Sequence, residues 1–476
     1  MSGIRSILDI GKGALSANEL ALQTLSHNIA NVDTPGYSRE AIVLKTALPE
    51  PSAAGMLGNG VRVEEVRRFV DNYLNGAINS KNTDLQFQKT AEQYLGQMES
   101  ILNEDNAKLT QNLSGFFNAW QDLSTDPTSI PARVALEAQA ENLSRSIQSI
   151  YGDLSNLQQQ ANNSIAQEVE NVNRITTAIA DLNQRISEAG KDGQANDYLD
   201  QRAELLKELS GEMGIVSFQD QFGNITVLAA NGKPLVDGNK HWNLKVSDPH
   251  SVGLYQVNWE DSNGKLSDIT SDVQNGTLGA LLYERDVDAK TFIGQLNALA
   301  ETLITRVNAI HQTGYNLNGT TGTAFFKPLT QDYAARIEVS NEVQNDVGNI
   351  AATSSLERPT DNDITLAMAG LADTNLPFVV DGNTTWARPV EFVSAILSSV
   401  GQLTRNAQDL VTYQSNTMNV LTAQQAAVSG VSLDEEITNL VQYQRAYQAS
   451  ARLISAADDC LVTLLGMVGG VAGGGV

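Results

Sequence analysis

Both ends of this chain carry the same helical stripe, which constrains the fold to bury them against each other or against copies of the chain. Near the N-terminus Ile4, Leu8, Leu15, Leu22, Leu25, Ile29 and Val32 follow an alternating four-three spacing, with Gly11 and Asn18 in the two weak positions. Near the C-terminus Leu433, Leu440, Tyr443, Tyr447, Ile454, Ala457, Leu461, Leu464 and Val468 repeat it, with Glu436 and Ser450 as polar exceptions. A repeat of about 3.5 residues keeps one narrow seam facing a partner helix. The pattern points to assembly rather than to a ligand cavity.

A chain of 476 residues with 41% hydrophobic content has enough apolar surface for more than one core. Its formal charge of -24 disfavours nucleic acid, whose phosphates need clustered Lys and Arg, and disfavours anionic membrane surfaces. Acidity keeps a long, sticky chain soluble before it assembles. Arg5, Asp9 and Lys12 interrupt any signal-peptide core, and no apolar run reaches the ~18 residues of a membrane span, so no membrane insertion is expected. Cys460 is the single cysteine, so no intrachain disulfide forms; its place in the C-terminal stripe reads as a small buried apolar residue at a helix interface.

The first helix is expected over residues 3–31. Asn31, Asp33, Pro35, Gly36 and Tyr37 follow as a turn motif, with Pro35 and Gly36 suited to the two central positions of a type II turn. Two short strands come next. Helical patterns then dominate to about residue 211: Leu143, Ile147, Ile150, Leu154 and Leu157, and later Ile165 to Ile186, recur at three-four spacing. Between about 212 and 275, β-rich runs alternate with Gly/Asn/Asp turn clusters. Helix returns near Leu278, 320–388 is mixed with a strand at Ile337–Val339, and a bundle helix spans about 390–427. Ser432 as N-cap with Glu435 reaching back would open the last helix as a capping box. The expected fold is α+β, mainly α: an elongated multi-domain protein with paired terminal helices in a coiled coil, a long helical bundle and an inserted small β domain. The expected units are 1–70 with 429–476, 71–211 with 276–428, and 212–275.

Chemistry-bearing patterns are sparse. His27, His241, His250 and His311 lie in separate segments without HExxH or paired-ligand spacing, so each reads as a satisfied or solvated side chain. No Walker, GxGxxG or GxSxG motif occurs. Asp361, Asn362 and Asp363 lack the glycine and terminal Glu of a calcium loop and suit a helix start. No catalytic, cofactor or metal site is expected.

Several of these segments are familiar. Ala14–Ala17, Ser26–Arg39 and Gly58–Val63 resemble the N-terminal signature of the flagellar axial proteins, the rod, hook and hook-associated subunits. Ser429–Glu436, Leu440–Arg452, Gly279–Asp286 and His311–Gly319 are similar to the hook-associated branch of that family. The resemblance implies a secreted structural protein of the bacterial flagellum, exported unfolded by the type III route and forming a ring at the hook–filament junction. Its implied partners are copies of itself, hook subunits, a second junction protein and an export chaperone at the C-terminal segment. Another axial subunit, and more distantly a secreted enzyme on a flagellar scaffold, are the alternatives.

Overall fold

The computed structural model describes residues 2–52, 55–103, 108–189, 195–220, 223–248 and 253–469. The glycine tail after residue 469, the Gly190–Gly193 break and His250 lie outside them.

The long helices are α1 (Ser2–Ala30), α2 (Asn72–Leu102), α3 (Leu109–Thr125), α4 (Ile130–Ala189) and α5 (Asn196–Glu212). Strands β1 (Glu40–Thr46), β2 (Glu50–Ser52), β3 (Gly55–Leu57) and β4 (Val61–Arg68) separate α1 from α2. After α5 come β5 (Ile215–Gln219), β6 (Ile225–Ala229), β7 (Pro234–Asp237), β8 (Lys240–His241), β9 (Leu244–Ser247), β10 (Gln256–Glu260) and β11 (Leu266–Asp268). Helix α6 (Gly276–Tyr283) runs through a π-helical turn, Glu284–Ala289, into α7 (Lys290–His311). Three short helices, α8 (Tyr333–Arg336), α9 (Asn341–Asn345) and α10 (Asp363–Gly370), precede the hairpin β12 (Leu376–Val380) and β13 (Asn383–Ala387). Helices α11 (Pro389–Ser429) and α12 (Leu433–Gly469) complete the chain. The protein is mainly helical, with small antiparallel sheets.

Helix α4 is the axis. At 60 residues it spans about 90 Å. Its three-four stripe, from Leu136 through Leu143, Ile150, Leu157, Ile165 and Val172 to Ile186, is buried along almost the whole length. Pro131 sits in its first turn, where a missing N–H costs nothing. The core it organises takes Trp120 and Phe116 from α3, Phe292 and Leu296 from α7, and an aromatic node of Phe116, Trp120, Phe325, Phe326 and His311. His311 is neutral there: burial pushes its imidazole down to about 4, Nδ1 lies 2.7 Å from the Thr323 carbonyl, and Nε2 accepts from the Ala351 N–H.

The inserted strands form two antiparallel sheets, ordered β5-β6-β7-β8 and β11-β10-β9. Three asparagines of α4 fasten them by mimicking a neighbouring strand. Asn173 donates to the Leu244 carbonyl and accepts from its N–H. Asn183 does the same for Ile225, and Asn162 for Gly253 and Tyr255. Each amide pairs with backbone groups of these strands or of the β9–β10 connection.

One local expectation changes. Ile337–Val339 is not a strand; it makes a single bridge, Phe326 to Val339. Ser340 accepts from the Val343 N–H and turns the chain directly into α9, so no ladder extends. The segment instead supplies a real hairpin at β12–β13, closed by Asp381 and Gly382, both at positive φ.

The π-helical turn buries two carboxyls, Glu284 and Asp288, which share a hydrogen bond, while Glu284 Oε2 has no partner. Burial first, then Asp288, pushes Glu284 up to about 9. The unfolded chain ionises near pH ~4.3, so wild-type stability is full below that value and falls by up to ~1.4 kcal/mol per pH unit as pH rises towards 9. Urea unfolding should show Glu284→Gln equal to wild type near pH 4.5 and progressively more stable up to pH 9. An unchanging difference across that range would contradict the burial of this carboxyl.

Candidate assembly interface

Helices α1 and α12 run antiparallel along one another. Asn18 Nδ2 donates to Ser450 Oγ at 3.3 Å, and Asn28 Nδ2 donates to Glu436 Oε2 at 3.0 Å. A Cβ added at Gly11 would stand 2.8 Å from Ile454 Cγ1, so only glycine lets the isoleucine seat there. Each apparent defect of the two stripes is therefore matched: Gly11 receives Ile454, Asn18 meets Ser450, and Glu436 meets Asn28, which lies outside the first stripe.

Around these pairings, Ile4, Leu8, Leu15, Leu22, Leu25, Ile29 and Val32 of the first stripe are buried or half-buried. Leu440, Tyr443, Tyr447, Ile454, Ala457 and Leu461 of the second are likewise covered. Leu433 and Leu464 are not; both are exposed. The register explains this. With Asn28 beside Glu436 and Gly11 beside Ile454, Leu433 and Leu464 lie near the two ends of α1 (Ser2–Ala30), where its described residues cover them least. Cys460 is also exposed rather than buried, because it lies off the one stripe that α1 covers. Nothing is described for the Val468 side chain.

A second face of α1 escaped the sequence reading. Ala17, Ala21, Thr24 and Asn28 are buried, and Gly13 faces the Val61 carbonyl so closely that a Cβ would lie 2.8 Å from it. These small residues let the β1–β4 ribbon approach the helix backbone. Their short side chains give little hydrophobic periodicity, which is why the stripe is faint in the sequence.

The turn after α1 takes the expected form. Tyr37 N–H donates to the Thr34 carbonyl, with Pro35 and Gly36 between them and Gly36 at φ +79. Asn31 accepts from the Thr34 hydroxyl. A Cβ on Gly36 would collide with Glu204 Cγ, so this glycine also lets the turn sit against α5. Ser38 follows and donates through both N–H and Oγ to Asp200, which also takes Arg68. Asp33 is exposed.

The centre of the interface is polar. Asn28 is completely buried and fully bonded: it donates to Glu436 and to the Glu40 carbonyl, and accepts from the Glu40 N–H and the Tyr37 hydroxyl. Glu436 is also 0% exposed, yet it accepts from Arg39 Nε at 2.8 Å as well as from Asn28. Arg39 continues to Glu435 at 2.8 Å, and its N–H donates to the Ser429 carbonyl. Burial works against the Arg39 charge, but the hydrogen bonds and charges of Glu435 and Glu436 outweigh it and raise its pKa. The Tyr37 phenol is pushed up by burial and by the surrounding carboxylates, so it stays protonated and donates. The capping-box expectation for Glu435 gives way here: its carboxylate is held by Arg39, and Ser432 contributes its carbonyl to the Glu436 N–H.

Removing one partner of a buried ion pair strands a charge and costs about 3–5 kcal/mol, whereas removing both costs far less. Arg39→Leu should therefore accelerate amide exchange over residues 436–450 while leaving thermal unfolding of the α4 core unchanged. Arg39→Leu with Glu436→Leu should recover much of the protection. Equal exchange in wild type and Arg39→Leu would refute a docking role for this pair.

Three stretches match known families. Residues 95–326 match the flagellar hook-associated protein FlgK helical domain, residues 423–467 the flagellar basal body rod FlgEFG protein C-terminal region, and residues 8–37 the flagella basal body rod protein family. The chain is 27% identical to flagellar hook-associated protein 1 of Salmonella typhimurium, covering 97% of this chain and 99% of that protein. It is 26% identical to flagellar hook-associated protein 1 of Bacillus subtilis, covering 97% and 98%. The fold is similar to that of the flagellar hook junction protein FlgK from Burkholderia pseudomallei, with a TM-score of 0.65 and 14% identity over 74% of this chain and 100% of that one. With matches to the rod-type families at its two ends and to the hook-associated helical domain between them, the chain is similar to flagellar hook-associated protein 1 over nearly its full length.

Proposed function

We propose that this protein is a structural subunit of the bacterial flagellum that forms a ring at the hook–filament junction, and that its work is mechanical rather than catalytic. The observation that carries this reading is the bareness of the C-terminal segment. Within α12, 37 residues long, Glu436, Ser450 and Ala457 are the buried residues among those described. No residue of α11 beyond Ala407 is buried either. Leu410, Tyr413 and Val420 on α11, and Ile437, Val441, Val462, Leu465 and Met467 on α12, stand exposed. Apolar helix faces of this extent mark surfaces that neighbouring molecules cover.

The neighbours in this proposal are further copies of the chain, hook subunits and a second junction protein, with an export chaperone shielding the C-terminal segment beforehand. The proposed assembly unit is 1–70 with 429–476, the bundle of 71–211 with 276–428 is the stiff layer, and 212–275 is outer decoration. No described helix is long and apolar enough to cross a membrane.

The extremities divide into two halves. The inner half, residues 18–40 with 429–450, is tied by the Asn28–Glu436–Arg39 network. The outer half has the Gly11–Ile454 fit and Ala457 as its closest packing. A lone helix pair is marginal in water, so the outer half frays in the free subunit and orders when neighbours cover it.

Ile437→Lys with Val462→Lys changes two exposed positions, so the purified subunit should keep its thermal unfolding profile. A strain carrying it should make hooks but shed filament subunits into the medium. Normal filaments on such hooks would overturn the assigned surface.

A further inference from the structure

The geometry points to a divalent-metal site formed by His27, Glu40 and Asp197. These residues come from α1, β1 and α5, elements far apart in the sequence. One ligand atom from each lies within 4.8 Å of the others. His27 Nδ1 is 3.6 Å from Glu40 Oε2, and its Nε2 is 3.9 Å from Asp197 Oδ1.

Local charge balance selects this trio. Five carboxylates crowd the region: Glu40, Asp197, Asp200, Glu435 and Glu436. Arg68 and both donors of Ser38 satisfy Asp200, and Arg39 satisfies Glu435 and Glu436. Among the described residues, His27 is the basic side chain whose ring nitrogens lie within 4 Å of a carboxylate oxygen of Glu40 and of Asp197. Two carboxylates and one imidazole are a donor set for a dication, which neutralises both charges at once.

The surroundings fit the same reading. The His27 ring is fixed by an edge-on contact with Tyr37, whose hydroxyl lies 3.2 Å from Nδ1 and donates to Asn28. Glu40 is buried, its backbone is held at both N–H and carbonyl by Asn28, and its carboxylate is hydrogen-bonded by Asn196. Two ligands are thus preorganised by second-sphere partners, as metal sites require. Asp197, the exposed third, stands where α5 begins and closes the site by a rotamer change, bringing donors to the ~2.0–2.2 Å metal distances of imidazole and carboxylate. The site opens onto a groove lined by Asn31, Thr34, Gly36 and Glu204, so an ion has a path in. Oxygen and imidazole donors without thiolate suit zinc and its neighbours. Bound there, the ion would clamp α1 and β1, which carry the terminal helix pair, onto α5 of the bundle.

The test is calorimetric titration of Zn2+ into the untagged full chain at pH 7.5. The expected result is one site of micromolar affinity, weakened at least ~10-fold in Asp197→Asn and in His27→Gln. His241→Gln, on an exposed strand remote from the trio, should bind as wild type. Asp197 is on the surface, so its variant should fold as wild type by circular dichroism. Absence of binding in wild type, or equal binding in wild type and Asp197→Asn, overturns the site. Binding is read on the isolated chain, so its failure leaves the junction role untouched, and failure of that role leaves the site standing.

Discussion

A carboxylate with no exposure to water, Glu436, is held between an asparagine from the other end of the chain and an arginine from the strand beside it. Burial of a charge is unfavourable unless it is fully paired. Here every partner comes from residues 28–39, so α12 is compatible with one placement against the N-terminal segment. A slip along the seam leaves Glu436 buried against apolar side chains, Asn18 without Ser450, and Ile454 against a residue larger than Gly11. Leucines alone tolerate such slips; a matched polar pair and a matched glycine do not. Register is the property that a repetitive assembly cannot vary, and these few atoms set it.

The rest of the molecule holds that joint at a fixed position. The turn at Pro35–Gly36 rests on α5, Asp200 anchors Ser38 and Arg68, and α5 packs on the long axis α4. The terminal pair is therefore connected to the bundle through short polar contacts rather than a loose linker. Asparagine recurs as the connecting residue. Asn28 grips Glu40 at both backbone groups, as Asn173 and Asn183 grip Leu244 and Ile225, and as Asn308 grips Phe325 and Phe326. One side-chain amide offers a donor and an acceptor side by side, the same pair that a neighbouring strand presents.

Much of this was legible from the residues. The four-three stripes predicted α1 and α12, the long apolar repeat predicted α4, and the turn clusters marked out the β region. Pro35 before Gly36 predicted the turn type. What stayed hidden is instructive. Ala17 and Ala21 bury a helix face, but small side chains barely register as apolar periodicity. Glu436 reads as a flaw because sequence shows a charge and not its partner, Arg39, which folding brings from across the chain. His27, Glu40 and Asp197 share no spacing that a motif could capture. Leu433, Leu464 and Cys460 read as buried because periodicity shows which face a residue is on and not where the partner helix stops.

The most direct measurement is disulfide trapping across the seam. Asn18→Cys with Ser450→Cys, in a Cys460→Ser background, places two thiols where the native side chains meet at 3.3 Å. Mild oxidation of the dilute subunit should yield a disulfide within one molecule, with no dimer on a non-reducing gel. Failure to close, or closure between molecules, would contradict the pairing of the two ends within one chain.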